Sequence, residues 1–330
     1  MRARIRTGGF IMMLGLALPM LAHPAPAPAP AGYPDRPIQV IVPYAAGGTT
    51  DLAGRIVAKA LGEALNQAVV VENKPGAAGS VGVAQVLRSP PDGYAAAVSG
   101  VSSTMLHQLL GRKLPYDPQK DINAVAYLGS SGMVVVTAKD SPYRTLRQVI
   151  DQARARPGSI SFGSAGNASP GHMATEYLAN MAGVRMTHVP YPGDSALMGD
   201  LMTGRIDIAT VGIASVFSQM KAGSVSTLAI TSRERIKSFP NVPTVAEAGL
   251  PGYEADIWNL LVLPRGTPAA VDARLNAAIN KAMLDKGVQD SLLGIGFTGH
   301  PMSLSDIQSF IQSERGKWSK VIRDAKITID

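Results

Sequence analysis

From Tyr33 onward, short apolar runs alternate with longer segments whose apolar residues recur every three or four positions. Ile38–Val42 is the first run, and its lack of polar alternation is typical of a strand buried on both faces of a parallel sheet. Residues 52–65 follow, with their apolar side chains on one helical face. The pattern predicts a strand, a loop and a helix in that order.

The same order repeats along the chain, so we expect strands joined by helical crossovers. The other predicted strands occupy residues 69–71, 94–98, 133–138, 160–162, 186–189, 205–211 and 257–263. Four other predicted helices cover residues 145–155, 195–202, 269–285 and 304–324. Three more are less sharply bounded: one ends near residue 88, one begins near residue 103, and one contains His172 and Glu176. The two sets predict an α/β protein of two lobes, each a mostly parallel sheet flanked by helices.

The loop between the first strand and the first helix carries Gly47 and Gly48, followed by Thr49 and Thr50. Glycines let the backbone approach a ligand closely, and the free N–H groups at a helix start attract negative charge. The loop therefore predicts a cradle for a small anion, although an ordinary strand-to-helix turn has the same composition. It matches neither the phosphate-binding loop nor the Gly-x-Gly-x-x-Gly dinucleotide fingerprint.

A second loop of small residues, 163–171, joins the predicted strand 160–162 to the helix that carries His172. In parallel sheets, ligands bind beyond the carboxyl ends of the strands, where both loops are expected. A cleft between two lobes is also a preferred site for small molecules. The two loops predict one ligand site shared by both lobes.

The N-terminus has the pattern of a secretory signal peptide, because Arg2, Arg4 and Arg6 precede an apolar run at residues 10–21. A Pro-Ala spacer completes residues 1–31, and we expect export to the periplasm. The chain has no cysteine, and its formal net charge of +7 includes the three arginines. No dense Lys/Arg cluster with aromatic residues occurs in the sequence, so nucleic-acid binding is not predicted.

Six further segments occur in a fixed order: Tyr-Pro-Asp-Arg-Pro-Ile at 33–38, Pro-Tyr-Ala-Ala-Gly-Gly-Thr-Thr-Asp at 43–51, Val-Glu-Asn-Lys-Pro-Gly-Ala-Ala-Gly at 71–79, His-Val-Pro-Tyr-Pro-Gly at 188–193, Val-Pro-Thr-Val-Ala-Glu-Ala-Gly at 242–249 and Pro-Arg-Gly-Thr-Pro at 264–268. Together they resemble the extracytoplasmic solute receptors of the tripartite tricarboxylate transporter family, the Bug or TctC-like proteins. Three positions depart from the family pattern. The family often has Phe-Pro at Tyr44-Ala45, Gly at Ala168, and Lys or Arg at Pro192.

The resemblance implies a two-lobed periplasmic binding protein fold of the type II kind. One lobe would combine residues 33–133 and 256–330, and the other would contain residues 134–255. The resemblance also implies a monomeric receptor that captures a small carboxylate and delivers it to the membrane subunits of a transporter. No catalytic residue, cofactor or metal is expected. A receptor that presents its ligand to a sensor kinase and an exported hydrolase are the alternatives.

The predicted ligand-binding residues follow from the same resemblance and from the loops beside it. On the two loops they are Tyr44, Ala46, Gly47, Gly48, Thr49, Thr50, Asp51, Ser164, Ala165, Gly166, Asn167, Ser169 and His172. The set is completed by Asn73, Gly79, Ser99, Tyr191 and Asp207.

Several of these side chains have a second interpretation. Asp51 fits a helix cap as well as a contact to an amino or hydroxyl group of the ligand. His172 and Glu176 have the i, i+4 spacing of two metal ligands or of a hydrogen-bonded pair. Ser164 and Ser169 raise the possibility of a nucleophile, although the surroundings of both lack the first glycine of a hydrolase elbow. Tyr191 fits either the cleft wall or the core.

Overall fold

The computed structural model describes residues 32–324 and 326–328, so the predicted signal peptide and spacer lie outside the described residues. The strands are β1 (Ile38–Val42), β2 (Val69–Asn73), β3 (Ala95–Gly100), β4 (Ile122–Ala138), β5 (Ser161–Ser164), β6 (Thr187–Pro190), β7 (Ile208–Gly212), β8 (Val225–Ile230) and β9 (Asp256–Pro264). The helices are α1 (Thr49–Leu65), α2 (Ser80–Leu87), α3 (His107–Leu109), α4 (Leu146–Ala155), α5 (Pro170–Ala182), α6 (Asp194–Met202), α7 (Ile213–Ala222), α8 (Ala269–Ala282), α9 (Lys286–Gly294) and α10 (Leu304–Asp324).

The strand β4 belongs to both halves of the sheet, whose strand order is β2-β1-β3-β9-β4-β7-β5-β6 with β8 also paired to β4. From Ile122 to Gly132, β4 pairs with β9. From Met133 onward it pairs with β7, and from Val134 with β8. The sheet therefore divides into a first lobe with β1, β2, β3, β9 and the start of β4, and a second lobe with β5 to β8 and the end of β4. The predicted α/β fold with two lobes is confirmed.

Parallel and antiparallel pairs have different places in each lobe. The outer pairs β1–β2, β1–β3, β5–β6 and β5–β7 are parallel. The pairs near the junction of the lobes, which involve β4 and β9, are antiparallel. The loops that contain the predicted site therefore follow the carboxyl ends of the parallel strands.

Four elements differ from the predicted pattern, and one of them is the strand β8, which was not predicted. The apolar pattern predicts only residues 133–138 of the seventeen-residue strand β4, because small and polar residues at 129–132 dilute the signal. That part of β4 is a strand because β9 pairs along it. The helices α7 and α9 were not predicted. None of the helices in residues 32–324 has the length and apolar character that crossing a membrane requires.

His107 is a polar residue in the core, next to a π-helical turn at Ser102–Leu106. It is 1% exposed, and neither of its ring nitrogens has a hydrogen-bond partner among the described residues. Burial, followed by the charge of Arg112, lowers the pKa of His107 to about 4. The folded protein therefore holds this ring in its neutral form at neutral pH.

We predict that His107 makes the fold sensitive to acid. An unfolded histidine has a pKa of about 6.5, so between pH 6.5 and pH 4 the unfolded chain binds a proton that the folded chain does not. Stability is therefore lost as the pH falls through this window. At pH 5 the loss from His107 is about 2 kcal/mol. His107→Leu should remove that part of the loss, as measured by urea unfolding at pH 7 and pH 5.

The matched control is His300→Leu, because His300 is exposed. It should leave the difference in unfolding free energy between the two pH values as in the wild type. An unchanged difference in His107→Leu would show that the folded protein accepts a proton on this ring.

Candidate functional site

The first loop connects β1 to α1 and has an open helix start. Gly47 has a φ of +83°, a conformation that favours glycine, whereas Gly48 is extended with a φ of −78°. A Cβ on Gly48 would meet only the carbonyl oxygen of Ala45, at 3.7 Å. The N–H groups of Thr49 and Thr50 have no acceptor within α1, because they belong to its first turn. Such a helix start can bind an anion.

The carboxylate of Asp51 holds this loop together from the inside. It accepts hydrogen bonds from the N–H of Gly47 at 2.9 Å, the amide of Asn73 at 2.8 Å and Nε of Arg55 at 3.0 Å. Asn73 also donates to the carbonyl of Tyr44 at 3.0 Å. Burial acts to raise the pKa of Asp51, but these hydrogen bonds outweigh it and lower the pKa. Asp51 and Asn73 thus use their polar atoms on the loop itself.

Tyr44 lies against two glycines of the first lobe. A Cβ on Gly79 would be 2.9 Å from the Tyr44 hydroxyl, and a Cβ on Gly100 would be 3.1 Å from it. Only glycine permits this close approach. The hydroxyl is 3.4 Å from the carbonyl of Ala78. Burial raises the pKa of Tyr44 to about 12, so the hydroxyl remains a donor.

Ser164 stabilises the second-lobe loop, which connects β5 to α5, through hydrogen bonds of its hydroxyl. Its hydroxyl donates to the carbonyl of Gly166 at 3.1 Å and lies 2.6 Å from Nε2 of His188. The His188 ring stacks on Phe162 and on His172, with centroid distances of 4.9 Å and 3.9 Å. Burial lowers the pKa of His188 to about 4. The Ser164 hydroxyl is engaged by His188 and by the backbone of Gly166, so this Ser-His pair supports the loop.

His172 fastens the same loop to the start of α5. The ring atom Nδ1 of His172 accepts a hydrogen bond from the backbone N–H of Ala168 at 3.1 Å. The backbone N–H of His172 donates to the hydroxyl of Ser169, the helix cap, at 3.3 Å. Burial, followed by the nearby His188, lowers the pKa of His172 to about 3, which keeps Nδ1 free to accept. Nε2 lies 3.8 Å from Glu176. The described residues contain no group of three side chains arranged as metal ligands.

Two contacts join the loops of opposite lobes. Ser102, just after β3, donates from its hydroxyl to the carbonyl of Ala168, which follows β5, at 3.0 Å. Oγ1 of Thr49, just after β1, lies 2.8 Å from the point where a Cβ of Gly212, at the end of β7, would be. The carboxyl ends of four strands therefore meet at one cleft.

Two buried atoms in this cleft have no hydrogen-bond partner among the described residues. They are Oγ1 of Thr49 and Oδ1 of Asn259. Thr49 is 6% exposed and Asn259 is 0% exposed, while the amide nitrogen of Asn259 is 3.5 Å from the Thr50 hydroxyl. An unpaired buried polar atom costs about 1–3 kcal/mol. Both atoms are therefore suited to a molecule that enters the cleft.

The other predicted residues have different surroundings. Ser99 is buried and bonds to hydroxyl groups in the turn after β3. Tyr191 is partly buried and donates to Asp200 at 2.9 Å. Asp207 accepts from the N–H and the hydroxyl of Ser161 at 2.8 Å and 2.7 Å. Because Ser161 begins β5 and Asp207 precedes β7, Asp207 lies at the end of the strands opposite to the cleft. The structure does not bring it to the site.

Three further predicted residues lie on the two loops. Ala46 is exposed, and Ala165 and Asn167 are partly exposed. Ser102, Gly212 and Asn259 contact the cleft but were not predicted. A glycine at the end of an apolar strand was the one available signal for Gly212, whereas Asn259 lies inside a strand that the pattern predicts only as apolar.

Comparisons with known proteins agree with this geometry. A family model described as the tripartite tricarboxylate transporter family receptor matches residues 53–327. The protein BugT of Bordetella pertussis is 33% identical to this chain, with 96% of this chain and 95% of BugT covered.

Two solved structures are similar along nearly their whole length. The R. palustris protein Rpa4515 with adipate has a TM-score of 0.84 and 31% identity, covering 90% of this chain and 99% of its own. MatC from Rhodopseudomonas palustris with bound malate has a TM-score of 0.79 and 29% identity, covering 88% and 100%. This chain shares the two-lobed fold of such periplasmic binding proteins.

We predict that an alanine-to-glycine change at Ala168 does not have its usual destabilising effect, because the backbone of Ala168 is left-handed, with a φ of +61°. Relief of about 1–2 kcal/mol of strain should balance the buried methyl and the backbone freedom of glycine, about 1 kcal/mol each. Ala168→Gly should therefore change the free energy of unfolding by less than about 0.5 kcal/mol, as measured with urea.

Ala174→Gly is the matched control, because Ala174 is equally buried but lies inside α5. It should lose about 1–2 kcal/mol. Equal losses in the two variants would contradict the strained conformation of Ala168.

Proposed function

The chain belongs to the family of tripartite tricarboxylate transporter receptors, and from that premise we propose that it captures a small carboxylate in the periplasm and delivers it to a membrane transporter. The observation that carries this proposal is the open start of α1, which faces the second lobe across the cleft. A helix start binds a carboxylate through N–H groups and its dipole. The relatives with adipate and malate are consistent with an acid ligand.

Within the predicted set we propose two kinds of residue. Gly48, Thr49 and Thr50 would contact the carboxylate, because the N–H groups at this helix start have no acceptor within α1. Asp51 and Ser164 would position the two loops, because their polar atoms are engaged by the loops themselves. Thr49 and, outside the predicted set, Asn259 would add side-chain contacts through their unpartnered oxygens.

We propose that the lobes close on the ligand. The first lobe would contain residues 33–133 and 256–330, and the second lobe residues 134–255. The change of pairing partner between Gly132 and Met133 of β4 supports this division. A hinge at that point would let each lobe keep its own sheet while the cleft opens.

We predict that the mature protein gains thermal stability with small carboxylates and that Gly48→Val loses this gain. Ligand at about a hundred times its dissociation constant should add about 2.7 kcal/mol. Valine tolerates the extended φ of Gly48, so the variant should fold. Its side chain would occupy the open space before the helix start. Thermal unfolding with and without an acid library measures both effects.

Gly316→Val is the control, because a Cβ at Gly316 also meets open space but lies on α10. It should keep the ligand-induced gain. The proposed function is wrong if no acid stabilises the wild type. The role of the first loop is wrong if Gly48→Val keeps the full gain.

We predict that the hydrogen bond from Ser102 to Ala168 supports the closed cleft. Its removal in Ser102→Ala should weaken ligand binding about three- to tenfold, the effect of one net hydrogen bond. Small-angle scattering should show the wild type becoming more compact on ligand addition, with a smaller fraction closed in the variant at the same ligand concentration.

Ser103→Ala is the matched control, because Ser103 lies in the same turn and, within the described part of the chain, forms hydrogen bonds only to first-lobe residues. It should bind as the wild type does. Identical scattering with and without saturating ligand would contradict closure.

A further inference from the structure

The starts of α7 and α1 face each other across the cleft. Gly212 is the residue before α7, and its absent Cβ would lie 2.8 Å from Oγ1 of Thr49, the first residue of α1. Both helices are long enough to present an effective positive end. A molecule with two carboxylates could in principle place one at each helix start.

The start of α7, however, already carries a carboxylate of the protein. Asp194, the first residue of α6, accepts from the hydroxyl of Ser215 in the first turn of α7 at 2.9 Å. The side chain of Asp194 is partly exposed. The position that a second ligand carboxylate would use is therefore filled by a group of the same charge.

The opposite wall of the cleft is polar and uncharged. Oγ1 of Thr49 and Oδ1 of Asn259 have no partner, and both side chains are more than nine-tenths buried. The cation bonded to the first loop, Arg55, is engaged by Asp51 and Asn73. The cleft contacts described above therefore include no lysine or arginine that would balance a second negative charge near Asp194. Burial raises the pKa of Asp194, whereas the hydrogen bond from Ser215 favours its charged form.

We infer that Asp194 is a specificity-determining residue that selects monocarboxylates with a hydrogen-bond donor, a hydroxyl or an ammonium group, at the end remote from the carboxylate. The inference rests on the proposed function. The carboxylate of the ligand would lie at the start of α1. Its donor would face Asp194, whose carboxylate can accept further hydrogen bonds.

Matched acids test this inference, because they differ only in the terminal group. The six-carbon set is adipate, 6-hydroxyhexanoate and 6-aminohexanoate, and the four-carbon set is succinate, 4-hydroxybutanoate and 4-aminobutanoate. In calorimetric titrations, the wild type should bind a hydroxy or amino acid about tenfold more tightly than the dicarboxylate of the same length. In Asp194→Asn, the dicarboxylate should gain about tenfold and the preference should disappear.

Asp285→Asn is the matched control. Asp285 also carries a carboxylate at a helix start, where it accepts from the N–H of Val288 at 3.0 Å, but it lies at α9. This variant should keep the wild-type preference. Asp194→Ser provides a second removal of the charge if the asparagine variant does not fold.

A wild type that prefers dicarboxylates overturns the inference, and so does an unchanged ratio of affinities in the folded Asp194 variants. Either result leaves the proposed function intact, because an acid still binds. If no acid of any kind binds the wild type, the proposed function fails and the inference fails with it.

Discussion

The shared strand β4 is the constraint on which the rest of the structure depends. It changes partner from β9 to β7 between Gly132 and Met133, so both lobes are built on one continuous backbone. Backbone groups in a paired strand must keep their hydrogen bonds, so this strand fixes the two sheets to each other in register. The carboxyl ends of the parallel strands consequently face one another. Thr49 and Gly212, far apart in sequence, meet for this reason.

Within this frame, the loops are ordered by the protein itself. Asp51 organises the first loop, and the stacked rings of His172 and His188 support the second. Ala168 of the second-lobe loop has a positive φ, and so do Ala77 and Ala78, which follow β2 and lie beside Tyr44. Left-handed conformations of alanine persist only where the surroundings impose them. A ligand therefore meets loops that are already ordered, which limits the entropy lost on binding.

The sequence predicted the elements that are local and missed the contacts that depend on topology. The helix α1 and its open start follow from glycines and helical periodicity over a short stretch. Asp207 was predicted in the site with the set that follows from the resemblance, whereas its position before β7 puts it at the far end of the strands. Asn259 was not predicted because it lies within an apolar strand, and only the antiparallel pairing of β9 with β3 brings it beside Gly100. Residue type alone cannot supply such pairings.

The two lobes contribute differently to the selectivity for the ligand. A helix start offers a carboxylate about 0.3–2 kcal/mol of favourable interaction regardless of what the acid carries at its other end. The first lobe is therefore suited to holding the feature that all such ligands share. Discrimination must come from the second lobe, where Asp194 accepts from Ser215 and leaves no uncompensated positive charge at the start of α7. One carboxylate on that wall can alter the preferred acid without any change to the loop that anchors it, because the two helix starts belong to separate lobes.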